Sequence, residues 1–481
     1  MSDESSNTLV NYISTRGRAP VLSFEDVLLA GLARDGGLYL PETWPVIDPE
    51  TIASFAGRPF AEVAVEVIGP FTGGSLTHAQ LTEMAQGAYA TFGHPATTPL
   101  VQIDPQTFVL ELFHGPTLAF KDVAMQLLAR LMDHVLTKRG QRATIVGATS
   151  GDTGGAAIEA FRSSERVDVV VLFPDGRVSD VQRRMMTTPT ETSVHAVAVK
   201  GTFDDCQALV KAMFNDHAFR DRVNLSGVNS INWGRIVAQV TYYFVAAAAL
   251  GAPDRKIVFS VPTGNFGDVF AGYVARRMGL PIELLVIGSN QNDILPRTLE
   301  TGVYEMRDVV VTSSPSMDIQ ISSNFERFLF EASGRDGDLV ARQMQMLAQG
   351  RRFVLTEAQA AALRMEFGAA GASEVEVAAT IRDTLSASGY LLDPHTACAV
   401  HAAKAVLETR GCGDTARVIL ATAHPAKFPD AMQHITGARP GLPERLSSLM
   451  SAPERYPVLN NDLKDVESFV EKISRAAGAT A

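Results

Sequence analysis

From about residue 100 the chain alternates short apolar runs with amphipathic stretches. ATIVGAT is a β-rich run; SGDTGG follows it, and GAAIEAFRSS then has helical spacing. VDVVVLFP and SDVQRRMM repeat the alternation, as do SVHAVAVKG and DDCQALVKAMFND, then KIVFSVP and GNFGDVFAGYVARRM, with IELLVIGS as the next run. Strands that are apolar along their whole length, separated by helices, predict parallel sheets covered on both faces. Ligands of such folds gather at the carboxyl ends of the strands, and the Gly-rich loops of this chain fall there.

The first 95 residues lack this alternation. ETIASFAGRPFAEVAVEVIGPFTG and LTHAQLTEMAQGAYATF carry mixed three- and four-residue apolar spacings, which predict a mostly helical layer. Residues 331–415 are helix-rich, RVILATAHP is a late strand, and the tail after about 440 reads as polar and helical. The expected division is an N-terminal helical domain over 1–95, a small α/β domain over 96–255 and a large α/β domain over 256–481.

Composition narrows the function classes. The net charge of −11 leaves no broad basic face for phosphate backbones, so nucleic acid is not an expected partner. Cys206, Cys398 and Cys412 form neither a disulfide framework nor a metal-ligand spacing, so no metal is expected and a reducing compartment is implied. The polar, acidic start has no signal-peptide pattern, and the run from Val237 to Ala252 is interrupted and short for a bilayer. The expectation is a cytoplasmic protein with no membrane partner.

Five segments carry candidate chemistry. In HGPTLAFKD, Lys121 stands at the edge of a helix after an apolar strand; burial there favours the neutral amine that condenses with a carbonyl cofactor. Most lysines at helix starts are simply solvated, so this signal is weak alone. PTGNFGD, with Gly264 and Gly267, reads as a strand-to-helix anion cradle or, taken alone, equally as a tight turn; it is neither a P-loop, since Asp268 follows the second glycine, nor a dinucleotide fingerprint. GATSGDTGG places Thr149, Ser150, Asp152 and Thr153 at a helix start, where one residue would suffice as a cap and four suit a carboxylate. In VNSINWGRI, Asn232 is a natural N-cap, and Arg235 is either an anion clamp or a surface ion pair. In ATAHPAKFP, Thr422 ends a strand and can face a ring nitrogen as a neutral partner, while His424 is as readily structural as catalytic.

Taken in order, these segments resemble the threonine synthase family, within the tryptophan-synthase-like group of pyridoxal-phosphate enzymes. The resemblance runs from GLARDGGLYLPE through HGPTLAFKD, NSINWGR, PTGNFGD and SPSMDIQISSNFERFLFE to DPHTACAVHAA and ATAHPAKF. It implies the fold of the tryptophan synthase β-subunit (fold type II), with two parallel-sheet domains beside the N-terminal helical one. It also implies pyridoxal 5'-phosphate as an imine on Lys121, its phosphate on Gly264, Asn265, Phe266, Gly267 and Asp268, and its pyridine nitrogen facing Thr422. Thr149, Ser150, Asp152 and Thr153 would lie near the substrate carboxylate or ring hydroxyl. Asn232, Arg235 and Ser150 are candidates for the substrate phosphate, with Asn324 and Arg327 weaker ones.

The implied reaction converts O-phospho-L-homoserine and water to L-threonine and phosphate, on a monomer or homodimer. A related phospho-lyase and an amino-acid dehydratase are the neighbouring alternatives, the latter disfavoured by the short GNFG loop. From another class, GATSGDTGG with Asp175 near the expected acidic position is a degenerate dinucleotide fingerprint, but that reading leaves Lys121 and GNFGD without a role.

Overall fold

The computed structural model describes residues 10–411 and 414–477. Two sheets organise it. The larger runs in the order Phe367–Gly371, Ile282–Ser289, Ile257–Pro262, Arg417–Ala421, Thr107–Glu111 and Leu100–Gln102; all neighbours are parallel except the last pair. The smaller is entirely parallel, in the order Val458–Asn460, Val194–Lys200, Val167–Pro174, Ala143–Ala148 and Leu225–Ser226. Val167–Pro174 is buried at every position, which is why it reads as an unbroken apolar run rather than an alternating one.

The sheets exchange pieces across the linear division at residue 256. The strands at 100–111 join the larger sheet, and Val458–Asn460 from the polar tail joins the smaller. The tail is therefore not purely helical. Its strand is three residues long and half-exposed, too short to leave a period in the sequence.

Helices cover both faces of the larger sheet. Pro394–Arg410 seals one face, its Ala402, Val406 and Leu407 packing on Val258, Leu284 and Val286. On the other face Trp233–Ala249 brings Tyr243 edge-on to Phe259 at 4.9 Å. The N-terminal part is a small hairpin, Tyr12–Ser14 with Tyr39–Pro41, and helices that include Phe60–Ile68 and His78–Tyr89. It packs on Trp233–Ala249 through aromatic contacts: Phe55 lies 6.0 Å from Phe244, and Phe71 lies 5.7 Å from Trp233. The apolar run from Val237 is thus core, and among the described residues no helix is long and apolar enough to cross a membrane. Cys206 and Cys398 are buried free thiols, and burial pushes the Cys206 thiol up to about 11; Cys412 lies outside the described residues.

Candidate active site

Thr107–Glu111, Arg417–Ala421 and Ile257–Pro262 are consecutive parallel strands, so the loops after their carboxyl ends meet. The first loop leads to Lys121, the opening residue of helix Lys121–Arg139. Its turn is locked by buried Asp122, whose carboxylate accepts from the Thr117 N–H at 2.7 Å and the Thr117 hydroxyl at 2.6 Å. Only glycine fits at 115, because a Cβ there would lie 2.4 Å from the Asp122 Cβ. The loop is also stitched to the segment after Arg417–Ala421: Phe120 N–H donates to the Thr422 carbonyl at 2.9 Å, and His424 N–H donates to that of Leu118 at 3.0 Å. Lys121 and Thr422 are held together by backbone.

Lys121 is 9% exposed, and its Nζ lies 3.4 Å from Asp152 Oδ2. Burial pushes its pKa below the ordinary lysine value; the Asp152 charge opposes this, and the Lys427 and Arg235 charges reinforce it. Asp152 is the hub of the corner. Its Oδ1 takes Lys427 Nζ at 2.6 Å and Gln182 Nε2 at 3.0 Å, and its Oδ2 also accepts from Ser316 Oγ at 3.3 Å. Burial alone would raise this carboxyl, but the two lysines override it and hold it well below the usual carboxylate range. Lys427, 1% exposed, also donates to the Thr117 carbonyl at 2.7 Å.

The cradle lies between Ile257–Pro262 and helix Gly267–Arg277. Phe266 sits in the left-handed region at φ 61°, and its ring is pinned by Phe325 and Phe367, both at 5.3 Å. The loop carbonyls are already taken: that of Gly264 by Ser322 Oγ at 2.6 Å, and that of Asn265 by Asn324 N–H and Nδ2, both at 3.0 Å. The backbone N–H groups of Gly264 through Asp268 donate to no protein acceptor among the described residues. At Gly264 a Cβ would lie 3.0 Å from the Ser316 carbonyl, so a side chain there would press on the turn beside the loop. Asp268 Oδ1 accepts from Tyr242 at 2.5 Å and Tyr243 at 3.0 Å, while its Oδ2 is buried without a partner. Burial pushes this carboxyl up to about 7.

The remaining sequence candidates separate by what their polar atoms do. Arg235 is 2% exposed and makes no ion pair among the described residues, so it is not a surface salt bridge. Among the described residues its hydrogen bond runs from Nη1 to the Val228 carbonyl at 3.3 Å, and its Nε has no partner. Asn232 is committed to capping: Oδ1 accepts from Gly234 N–H at 2.9 Å and Nδ2 donates to the Leu28 carbonyl at 2.9 Å. Asn324 and Arg327 brace the cradle from behind, Arg327 donating to Asn324, to the Tyr39 carbonyl at 2.9 Å and to the Ile231 carbonyl at 2.6 Å. Thr149 Oγ1 accepts from Gly151 and Gly154 N–H at 2.9 Å each and so shapes its loop, whereas Ser150 and Thr153 are half-buried. Burial lowers the His424 pKa to about 4, so it is neutral; its Nδ1 accepts the Ala426 N–H at 3.1 Å.

Four residues at the site had no place in the sequence reading: Lys427, Gln182, Ser316 and Tyr242. Lys427 lies inside ATAHPAKF, and its signal was a lysine in an otherwise apolar turn. Gln182 and Ser316 come from segments whose approach to Asp152 only the tertiary fold determines.

A phosphorylated aldehyde needs a buried amine and a set of unpaired N–H donors, and among the described residues both stand here, after the two strands that flank Arg417–Ala421. The residues fit pyridoxal phosphate. Comparison with known proteins agrees over the whole length. Three family models match: "Threonine synthase N terminus" over 11–89, "Pyridoxal-phosphate dependent enzyme" over 92–422, and "Threonine synthase, C-terminal" over 396–470. The threonine synthase of Pseudomonas aeruginosa is 49% identical over 464 residues, covering 96% of this chain and 98% of its own. The crystal structure of PLP-bound threonine synthase from Brucella melitensis has a TM-score of 0.94 at 60% identity, covering 97% of this chain and 100% of that one. The yeast threonine synthase structure has a TM-score of 0.91 at 38% identity, covering 97% and 99%. The expected α/β fold with parallel sheets is the one found, and the dinucleotide reading falls. This chain belongs to the threonine synthase family of pyridoxal-phosphate-dependent enzymes.

Proposed function

We propose that this protein is a cytoplasmic threonine synthase, converting O-phospho-L-homoserine and water to L-threonine and phosphate, with its cofactor on Lys121. The observation that carries the residue assignment is the pairing of a buried amine with five backbone N–H groups that have no protein acceptor among the described residues. Gly264, Asn265, Phe266, Gly267 and Asp268 hold the cofactor phosphate, and Thr422, tied to the lysine loop, faces the ring nitrogen. When bound, the cofactor supplies an electron sink for charge that develops on the substrate carbons.

The chain moves the protons. With its amine free, Lys121 would take the proton from Cα onto Nζ, where Asp152 at 3.4 Å would stabilise the resulting ammonium. Phosphate loss from the γ-carbon needs a second proton to leave the β-carbon; Lys121 Nζ would take it too and return protons to the γ- and α-carbons, while water gives its hydroxyl to the β-carbon and its other proton to the departing phosphate. Arg235, a buried guanidinium with no carboxylate partner, is the strongest candidate to hold the substrate phosphate, with Ser150 and Thr153 beside the substrate carboxylate.

The test is to reduce the holoenzyme with borohydride, map the modified peptide, and assay O-phospho-L-homoserine turnover for threonine against 2-oxobutyrate. A Lys121 adduct with threonine as product is the expected result. A 2-oxobutyrate product would make the protein a phospho-lyase, and an adduct on another residue would overturn the site assignment.

A further inference from the structure

Two buried lysines share one buried carboxylate. Lys427 Nζ takes Asp152 Oδ1 at 2.6 Å, and Lys121 Nζ takes Oδ2 at the longer distance of 3.4 Å. Lys427 is 1% exposed and is fixed from the other side by the Thr117 carbonyl, so it cannot swing away from Asp152 without leaving that acceptor. Were Lys427 absent, the whole Asp152 charge would fall on Lys121. Nothing in the reaction assigned above uses Lys427.

We propose that Lys427 is a positioning residue that acts through Asp152: by engaging this carboxylate it keeps the Lys121 nitrogen from holding a proton too tightly. The inference rests on Lys121 carrying the cofactor. The physical need is clear. A nitrogen that must gain and lose a proton in each turnover works best with a pKa near ambient pH, and a carboxylate within about 4 Å raises an amine by one to three units unless another cation shares it.

The charged groups facing Lys121 come from every element around it. Asp152 belongs to helix Asp152–Phe161, Lys427 to the turn after Arg417–Ala421, Arg235 to helix Trp233–Ala249, and Asp268 to helix Gly267–Arg277. Arg235 and Lys427 both push the Lys121 proton off, while Asp152 holds it. Of these, Asp152 alone lies within hydrogen-bonding distance of Lys121, and among the described residues Lys427 alone forms an ion pair with Asp152 besides Lys121 itself.

The experiment is a pH titration of the visible absorbance of the holoenzyme, which reads protonation at the Lys121–cofactor nitrogen. Lys427→Met should move the midpoint up by about one unit or more, because the carboxylate is no longer shared. Asp152→Asn should move it down, because the carboxylate is gone and the second cation remains. Lys427→Arg should restore the wild-type midpoint. A purely structural role for the pair would move the two neutralising variants in the same direction or not at all, and either outcome overturns the proposal. If Lys427→Met does not fold, Asp152→Asn decides alone, and an unmoved midpoint refutes the idea. Borohydride mapping of the same samples separates the cases: an adduct away from Lys121 defeats the parent assignment, whereas a Lys121 adduct with unmoved midpoints defeats only the role of Lys427.

Discussion

The lysine corner and the candidate phosphate cradle lie at the same end of one sheet, yet they are built from opposite materials. The corner is made of formal charges on side chains: Lys121, Asp152 and Lys427, drawn from three separate stretches of chain and all buried. The cradle uses backbone N–H groups, fixed because their own carbonyls are occupied by the 322–324 segment. The difference follows from the task. A permanent phosphate charge is best met by dipoles that never titrate, whereas a proton carrier needs neighbours that adjust its basicity. Ser316 joins the two regions, its hydroxyl reaching Asp152 and its carbonyl lying against Gly264.

The comparison breaks most completely at Lys121. Lys121→Ala should abolish reductive trapping of the cofactor and lower turnover by roughly 10³-fold or more, the scale of losing a positioned base together with the covalent anchor. The cradle should still bind the cofactor reversibly, seen as cofactor fluorescence that dialysis removes. Retained trapping would show that the two regions are not divided as described.

Arg235→Met comes next. If this guanidinium serves an anion, kcat/KM for the phosphorylated substrate should fall by about 100-fold, mostly through KM, as expected for a lost charge-assisted contact of about 3 kcal/mol. The same substitution should raise the melting temperature of the cofactor-free protein, because a buried charge without a partner destabilises the fold. Loss of function with gain of stability is a pairing that a purely structural arginine would not produce. Unchanged kinetics would remove Arg235 from the site.

These residues also show what the sequence could and could not say. The parallel sheets were legible because continuous apolar runs such as VDVVVLFP have no other home, whereas the GNFG segment alone reads as readily as a tight strand-to-helix turn. Phe367–Gly371 was not legible: FGAAG has no strand propensity, and it lies at the sheet edge where Val406 of the covering helix packs against Gly368. Asn232 and Thr149 looked like ligand groups because a capping side chain and a binding side chain share one composition. Only the partners of Asn232 Oδ1 and Thr149 Oγ1 separate the two roles. Lys427 stayed hidden for the opposite reason. Its partner lies 275 positions away in the chain, and a lysine in an apolar turn does not say which carboxylate it meets.

A smaller effect sharpens the cradle side. Gly264→Ala would put its Cβ 3.0 Å from the Ser316 carbonyl, so the 314–318 turn must shift by a few tenths of an ångström. Cofactor affinity should weaken by about tenfold, the equivalent of 1.4 kcal/mol. Because Ser316 also donates to Asp152, the visible pH midpoint should move as well. Affinity loss with no spectral change would mean that the two regions are mechanically independent.

A last test, read in stability rather than in function, concerns the one carboxyl in the cradle. Burial raises Asp268 from 3.8 to about 7 in the folded protein. Below pH 3.8 both folded and unfolded chains keep this proton, and Asp268 adds no pH dependence. Between there and about pH 7 the folded protein holds a proton that the unfolded chain has released, so stability falls as pH rises, by at most about 1.4 kcal/mol per unit. Above about 7 the dependence is flat again. Asp268→Asn keeps an oxygen for Tyr242 and Tyr243 but cannot ionise. In urea denaturation of the cofactor-free proteins, the variant should therefore gain on the wild type between pH 5 and pH 8, with the gap constant above that. A gap that does not change with pH would mean that Asp268 stays ionised throughout, and the cradle would then contain a fixed negative charge that its five N–H donors must outweigh.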